Sequence, residues 1–486
     1  MKSTSRGVST TINNRKNSMK KKILIIQGII VLSAVVYADN VAQNQSGVST
    51  QTISRIEQFL QDSKKPVPWI SLGGDLRIRN EYMNNVVTLD EDAPRSEQDY
   101  FRFRGRIWAT VTPIEKFDFN IRLTAEPRNY LRPSYHKTPI TGQDWTEGII
   151  DTLNFKWTEP LNLPLTMTIG RQDIMLGDSL NWWLVSDGTP LDGSRTYFFD
   201  AARLTWDLKD YNTTVETIGI IQSAMNNEWL PTINHLDKAL TEQNEKGAIL
   251  YISNKSIKNT QIDAYYIYKH DDYKVANGDN ADIHTLGSKI TGKITPNIQY
   301  SVEGAYQFGE RRTPTTKWQD IDAFGLNSRL SYLFNDYMNT QVRLSHEYLS
   351  GDDPNTDEFE RFDLLWGRWP RWSELYIYSY IPESRVSQYE NIHRFGPGFS
   401  FSPIKDLTYS MDYYALFAPE ERSGALPNAS NFGKGNFRGH FLQAFIKYKF
   451  SKHLSGHLWS EFVWAGDYYA KRDLLTFLRA EMYLTW

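Results

Sequence analysis

The chain has 486 residues and no cysteine, which excludes disulfides, thiolate metal sites and a cysteine nucleophile. Its formal charge is −3, from 54 Lys and Arg against 57 Asp and Glu, so it lacks the basic excess that nucleic acid demands as a partner. Outside the N-terminal leader no run of about 18 apolar residues occurs. That excludes membrane-spanning helices but not spanning strands, because a barrel turns only every second side chain to lipid.

At the N-terminus Lys20, Lys21 and Lys22 precede an uncharged run from Ile23 to Val36, and Val36 and Ala38 are small residues at the −3 and −1 positions of a cleavage site. This predicts a secretory signal peptide over 1–38, with Met19 as an alternative start. The signal holds seven Lys or Arg and no acid, so its removal takes the charge to −10. Residues 39–69 read as a periplasmic leader. Within Ser49–Asp62, Ile53, Ile56, Phe59 and Leu60 recur at helical spacing, and Lys-Lys-Pro-Val-Pro follows.

From Ile70 the period changes to two. Leu72, Leu76 and Ile78 alternate with Asp75, Arg77 and Arg79, and Phe101, Phe103 and Ile107 alternate with Arg102, Arg104 and Arg106. Weaker copies continue to 474–486 and make roughly 18 segments, each long enough to cross a bilayer when tilted. The connections alternate between short, as at Pro113–Lys116, Pro403–Asp406 and Ser451–His453, and long, as at Pro127–Glu147, Ile174–Phe199 and Ser350–Glu390. Short turns on one side and long loops on the other predict an all-β, antiparallel transmembrane barrel over 70–486 in the outer membrane of a Gram-negative bacterium. The 14% aromatic content fits girdles at the two interfaces. The last strand ends on Trp486, a C-terminal aromatic of the kind outer-membrane assembly machinery reads.

Several stretches resemble the alginate export family of outer-membrane porins. They are Gly170-Arg171-Gln172-Asp173 with Leu176-Gly177-Asp178, Asp192-Gly193-Ser194-Arg195-Thr196, Phe199-Asp200-Ala201-Ala202-Arg203-Leu204, Tyr300 to Gln307, and Ser350-Gly351-Asp352-Asp353. Their order and spacing carry the match from about Ile70 to Trp486. The resemblance implies an 18-stranded monomeric barrel whose narrowed, positive lumen passes an anionic polysaccharide outward.

If the apolar partners face lipid, the lumen receives Arg77, Arg79, Arg102, Arg104, Arg106, Arg122, Arg203 and Arg479; Arg171 joins them from its family-like motif. In a closed barrel the last strand pairs the first, so most of these share one wall. Arginine suits carboxylates because its fork bonds both oxygens. The plainer reading is that lumen acids (Asp75, Glu81, Asp118, Glu126, Glu481) pair the arginines and only hold the wall together. Glu303, Gln307, Glu347, Asp412 and Glu461 predict a more acidic opposite wall. The long connection after Ser350 carries Trp366, Trp369, Trp372, Tyr376, Tyr378 and Tyr380 with Arg361, Arg368 and Arg371; rim packing or gating is favoured over a sugar platform. Asp352, Asp353 and Asp357 offer oxygens for calcium but lack a complete loop spacing, and no metal or cofactor is assigned.

No enzyme constellation stands out. His346 with Glu347, and His457 with Glu461, read as residues separated onto opposite faces. The expected function is a passive channel for anionic solutes, with acidic polysaccharide export leading and a general porin for small anions or sugars as the alternative. A barrel enzyme and a closed adhesion or receptor barrel are further rivals. Expected partners are outer-membrane lipid and lipopolysaccharide, the assembly machinery, the anionic solute and a candidate periplasmic scaffold.

Overall fold

The computed structural model describes residues 62–85, 91, 96–132, 142–144, 147–176, 186–187, 198–225, 228–234, 243–274, 278–312, 317–353, 355–367, 372–375, 391–421, 433 and 435–486. The predicted signal peptide, the predicted helix up to residue 61, and the Asp192–Thr196 motif with Arg195 lie outside the described residues.

Eighteen long strands follow one another in a single closed sheet. They are β1 (Ile70–Asn84), β2 (Glu97–Ile114), β3 (Phe117–Ala125), β4 (Gly148–Thr158), β5 (Leu165–Gln172), β6 (Phe199–Leu208), β7 (Thr213–Gln222), β8 (Gln243–Asn254) and β9 (Thr260–Tyr273). The second half comprises β10 (Ala281–Lys293), β11 (Ile298–Arg312), β12 (Trp318–Leu333), β13 (Gln341–Leu349), β14 (Ile392–Ile404), β15 (Leu407–Phe417), β16 (Phe437–Lys449), β17 (Leu454–Ala465) and β18 (Leu475–Thr485). Each pairs its neighbour antiparallel, and β18 pairs β1 from Thr485 opposite Asp75 to Thr476 opposite Asn84. Closure leaves no edge, which is what a sheet needs where lipid offers no hydrogen bonds.

The faces are inverted relative to a water-soluble protein. On β1 the outward Leu72, Leu76 and Ile78 are exposed, while the inward Asp75, Arg77, Arg79 and Glu81 are each at most 3% exposed. The same alternation leaves Ile107, Leu286, Leu330 and Leu344 exposed. It buries Arg102, Lys269, Arg394 and Glu461. Charge therefore fills the interior and apolar side chains form the outer belt.

The connections follow the predicted alternation. Two-residue turns at 115–116 and 405–406 face the same end as both barrel termini. Left-handed Lys116, Asn212, Asn259, Asn335 and Asp406 tighten this end, a conformation Asn and Asp tolerate because their side chains bond locally. Lys116 bonds Glu159 at 2.5 Å between two such turns and holds that carboxyl below its usual range. At the other end β1 continues to Asn84, β2 starts at Glu97 and β9 reaches Tyr273. Short strands 128–130 and 142–144 extend the sheet there beside β2.

The seam between first and last strands is closed by Trp486. Its backbone N–H donates to the Gly74 carbonyl at 3.1 Å, and the Gly74 N–H donates back at 3.4 Å. The indole lies on Gly74 so closely that a Cβ there would stand 2.1 Å from the nearest ring carbon. Here glycine is required by close approach.

Candidate functional site

The densest charge in the interior lies where β18, β1 and β2 run side by side. Register sets Arg77 directly opposite Arg104 and Arg79 opposite Arg102, with Asp75 opposite Arg106 and Glu81 opposite Arg479. Like charges face to face repel, and carboxylates from flanking positions separate them. Glu126, just past β3, pairs with Arg77 and lies 2.8 Å from Arg102. Asp75 lies 2.5 Å from Arg106 and 3.5 Å from Arg104. Glu481 pairs with Arg79, and Glu81 lies 2.6 Å from Arg479. Arg128, stacked 5.1 Å over Tyr100, adds a further cation. Among the described residues seven arginines thus gather around Asp75, Glu81, Glu126, Glu481 and Glu374.

The other predicted arginines sit elsewhere. Arg122 faces inward from β3 and bonds Asp151 at 2.7 Å and both oxygens of Asp173 at 2.8 Å. Arg203 faces inward from β6 and forks onto Glu216 at 2.8 Å. Arg171 does not point into the lumen. Its register partners are Leu153 and Asp200, both on the outward side of the wall. The segment 228–234 covers it, with the Trp229 carbonyl at 3.1 Å and the Phe198 ring 3.6 Å away. Gly170, at φ +117°, sits just before this position. Arg171 is a fixture of the long-loop rim, and its motif, not its alternation, had placed it in the lumen.

The opposite wall is mixed rather than acidic. Glu303 accepts from Tyr265 at 3.1 Å and stands opposite Lys289. Glu347 lies 3.1 Å from Arg394, and Asp412 lies 2.5 Å from Arg343. The alternation that turns those acids inward turns Lys269, Lys289, Arg343 and Arg394 inward with them. His457 and Glu461 also share the inner face, being four residues apart on one strand. His457 faces Glu481 at 3.3 Å, while Glu461 binds part of the long connection between β13 and β14.

That connection folds inward. Asp363 exchanges backbone bonds with the Gln307 amide on β11, donating at 2.7 Å and accepting at 2.6 Å. Phe362 lies against Gly325 on β12. Trp366 is fully buried; its Nε1 donates to Glu245 on β8 at 3.0 Å, and its ring meets Phe199 edge-on. By Ser373 the chain is at β17, where the Ser373 hydroxyl and the Glu374 and Leu375 N–H groups all donate to Glu461 at 2.8–2.9 Å. Glu374 then reaches Arg479 at 2.7 Å. Strands β8 and β17 stand nine apart in a ring of eighteen, on opposite sides of the barrel. The described parts of the connection, 355–367 and 372–375, are therefore anchored on opposite sides of the lumen.

Sequence reasoning placed Trp366 and Trp372 in this connection but not Glu245, which accepts from Trp366, or Gln443, which donates to the Trp372 carbonyl; Glu461 was read only as an acid of the wall. Arg368, Trp369, Arg371, Tyr376, Tyr378 and Tyr380 lie outside the described residues. Asp352 and Asp353, considered for calcium, accept from the loop itself, from the Glu360 N–H at 3.2 Å and the Asn355 N–H at 2.8 Å.

A closed barrel with an apolar belt, a charged interior and a long connection folded inward against its wall defines an outer-membrane channel protein of the porin kind. The chain belongs to the alginate export family, whose model matches residues 68–478. Solved structures share the fold at low identity. A BenF-like porin from Pseudomonas fluorescens Pf-5 is 9% identical with a TM-score of 0.55, over 86% of this chain and 98% of that one. OccAB2 of Acinetobacter baumannii is 12% identical with a TM-score of 0.52, over 85% and 98%. OccAB4 of the same organism is 13% identical with a TM-score of 0.51, over 86% and 99%. No curated protein matches the chain.

Proposed function

We propose that this outer-membrane channel passes anionic solutes and that its physiological load is an acidic, alginate-like polysaccharide moving outward. The observation that carries the reading is the ladder Arg106, Arg104–Arg77, Arg102–Arg79 and Arg479 on three adjacent strands, which outnumbers its carboxylates. Such a wall raises the local concentration of anions and lowers their barrier to passage. Because the arginines are already ion-paired, an arriving carboxylate exchanges partners and does not meet a bare charge. That favours many weak sites over one tight one, as a sliding chain requires.

A second reading is a porin for uptake of small anions, which the fold shared with Occ porins and the inward-folded connection between β13 and β14 favour. Reversal potentials of the reconstituted channel in a salt gradient, followed by added polyuronate, separate the two. Anion selectivity with polyuronate block supports export of an acidic polysaccharide. Anion selectivity without block supports the small-anion porin. The triple change Arg102→Ser, Arg104→Ser and Arg106→Ser is expected to lower the anion-to-cation permeability ratio about tenfold. An unchanged ratio sinks the arginine wall as the selectivity element.

A further inference from the structure

We infer that the short-turn mouth of the barrel carries a second anion site, a docking vestibule for a hydroxylated polycarboxylate such as a uronic acid oligomer. It is set against β9–β13, across the lumen from the arginine ladder. The inference rests on the anionic-channel reading and adds to it where a chain is first captured.

The vestibule is a concavity of about 620 Å³. Lys255 and Lys258 come from the turn between β8 and β9, Lys293 from the end of β10, and Arg329 from the inward face of β12. Among the described residues no carboxylate lines it. That sets it apart from the arginine ladder, where every cation row has an acid beside it. The nearest inward acids on these strands, Asp263 and Glu303, sit one alternation deeper, where Gln261 donates to the first at 2.9 Å and Tyr265 to the second at 3.1 Å. The turn is held in place by its own backbone: Asn259 takes φ +59°, and its carbonyl accepts the Lys293 N–H at 3.0 Å. The backbone that carries the lysines is therefore fixed, and Lys255, Lys258 and Lys293 are exposed.

Lysines on the turns of a membrane barrel commonly meet lipid phosphates. Here the rest of the lining argues for the lumen. Gln261, Thr291, Gln299, Ser301, Ser331 and Arg329 all occupy inward positions of their strands, as their alternation with outward Ile290, Val302 and Leu330 shows. Amides and hydroxyls among ammonium and guanidinium groups match a ligand that carries hydroxyls and carboxylates together. β10 and β1 are nine strands apart in the ring, so a chain docked here faces the arginine ladder directly across the lumen.

The test uses the full barrel reconstituted in one orientation, with a short oligogalacturonate added to one side at a time. The expected result is faster block from the short-turn side. Lys255→Gln, Lys258→Gln and Lys293→Gln together lower that association rate about tenfold and leave the blocked lifetime, the open conductance and block from the other side unchanged. Equal loss of block from both sides, or no change from the short-turn side, overturns the vestibule. If the native channel is not blocked by oligogalacturonate at all, the polysaccharide reading falls. Citrate then tests the vestibule separately: sided citrate block that the triple variant abolishes upholds an anion site, and citrate block without sidedness overturns it.

Discussion

Glu126 holds Arg77 and Arg102 at once, although the two sit on different strands and each faces another arginine across the sheet. Replacing it with Gln keeps the shape and removes the charge that separates them. Breaking one partner out of a buried pair costs about 3–5 kcal/mol, so Glu126→Gln is expected to unfold at lower denaturant by an amount near the lower figure. The reversal potential should move further toward anions. Urea unfolding followed by tryptophan fluorescence, together with bilayer recording, reads both effects; unchanged stability and selectivity would show that Glu126 is not the keystone of this wall. The arginines themselves were legible in the sequence because the period of two is unbroken from Asp75 to Glu81 and from Arg102 to Arg106. Arg171 was not legible in this way, because Gly170 at positive φ precedes it at a strand end and 228–234 covers it from outside the strand pattern. The basic residues of the opposite wall obey the same alternation, and only their acid partners had been read.

At the scale of elements, two devices set the channel's behaviour. The first is the inward-folded connection between β13 and β14, pinned at β17 by Glu461, which accepts three hydrogen bonds from Ser373, Glu374 and Leu375 and one from Gln443. Each such bond is worth about 1 kcal/mol net, more where the acceptor is charged. Glu461→Ala is expected to release this end, raising single-channel conductance and adding open-state noise, while the barrel still shifts on heating in gel mobility. A conductance identical to the native value would mean that the segment does not restrict the pore. Its presence was readable as a long aromatic connection, but its path was not, because Trp366 and Glu245 are 121 residues apart. The second device is the seam. Trp486 packs on Gly74 and exchanges backbone bonds with it, so it fastens β18 to β1. Trp486→Ser is expected to lower the yield of heat-modifiable barrel in the outer membrane several-fold while export to the periplasm continues. Native yield from this variant would remove Trp486 from assembly.

For the whole molecule, one rule orders the rest: neighbouring residues on a strand live in different solvents. Arg343 and Leu344 on β13 make the contrast directly. Arg343 points inward and bonds both oxygens of Asp412 and the Ser410 hydroxyl. Leu344 points outward and is 56% exposed to what, in a bilayer, is hydrocarbon. An arginine one position further along has no acid to meet and must shed its water or drag it into lipid. On the lipid face of a barrel that costs about 2–4 kcal/mol near the bilayer midplane and falls toward zero at the interfaces. Leu344→Arg is therefore expected to destabilise the folded barrel in lipid vesicles by up to that amount. Leu344→Ala serves as the control that removes apolar area without adding charge. The two variants should differ little in detergent micelles, which deform around a charge more readily than a bilayer does. Equal stability of Leu344→Arg and the native barrel in vesicles would place β13 outside the hydrocarbon, and with it the assignment of the apolar face to lipid.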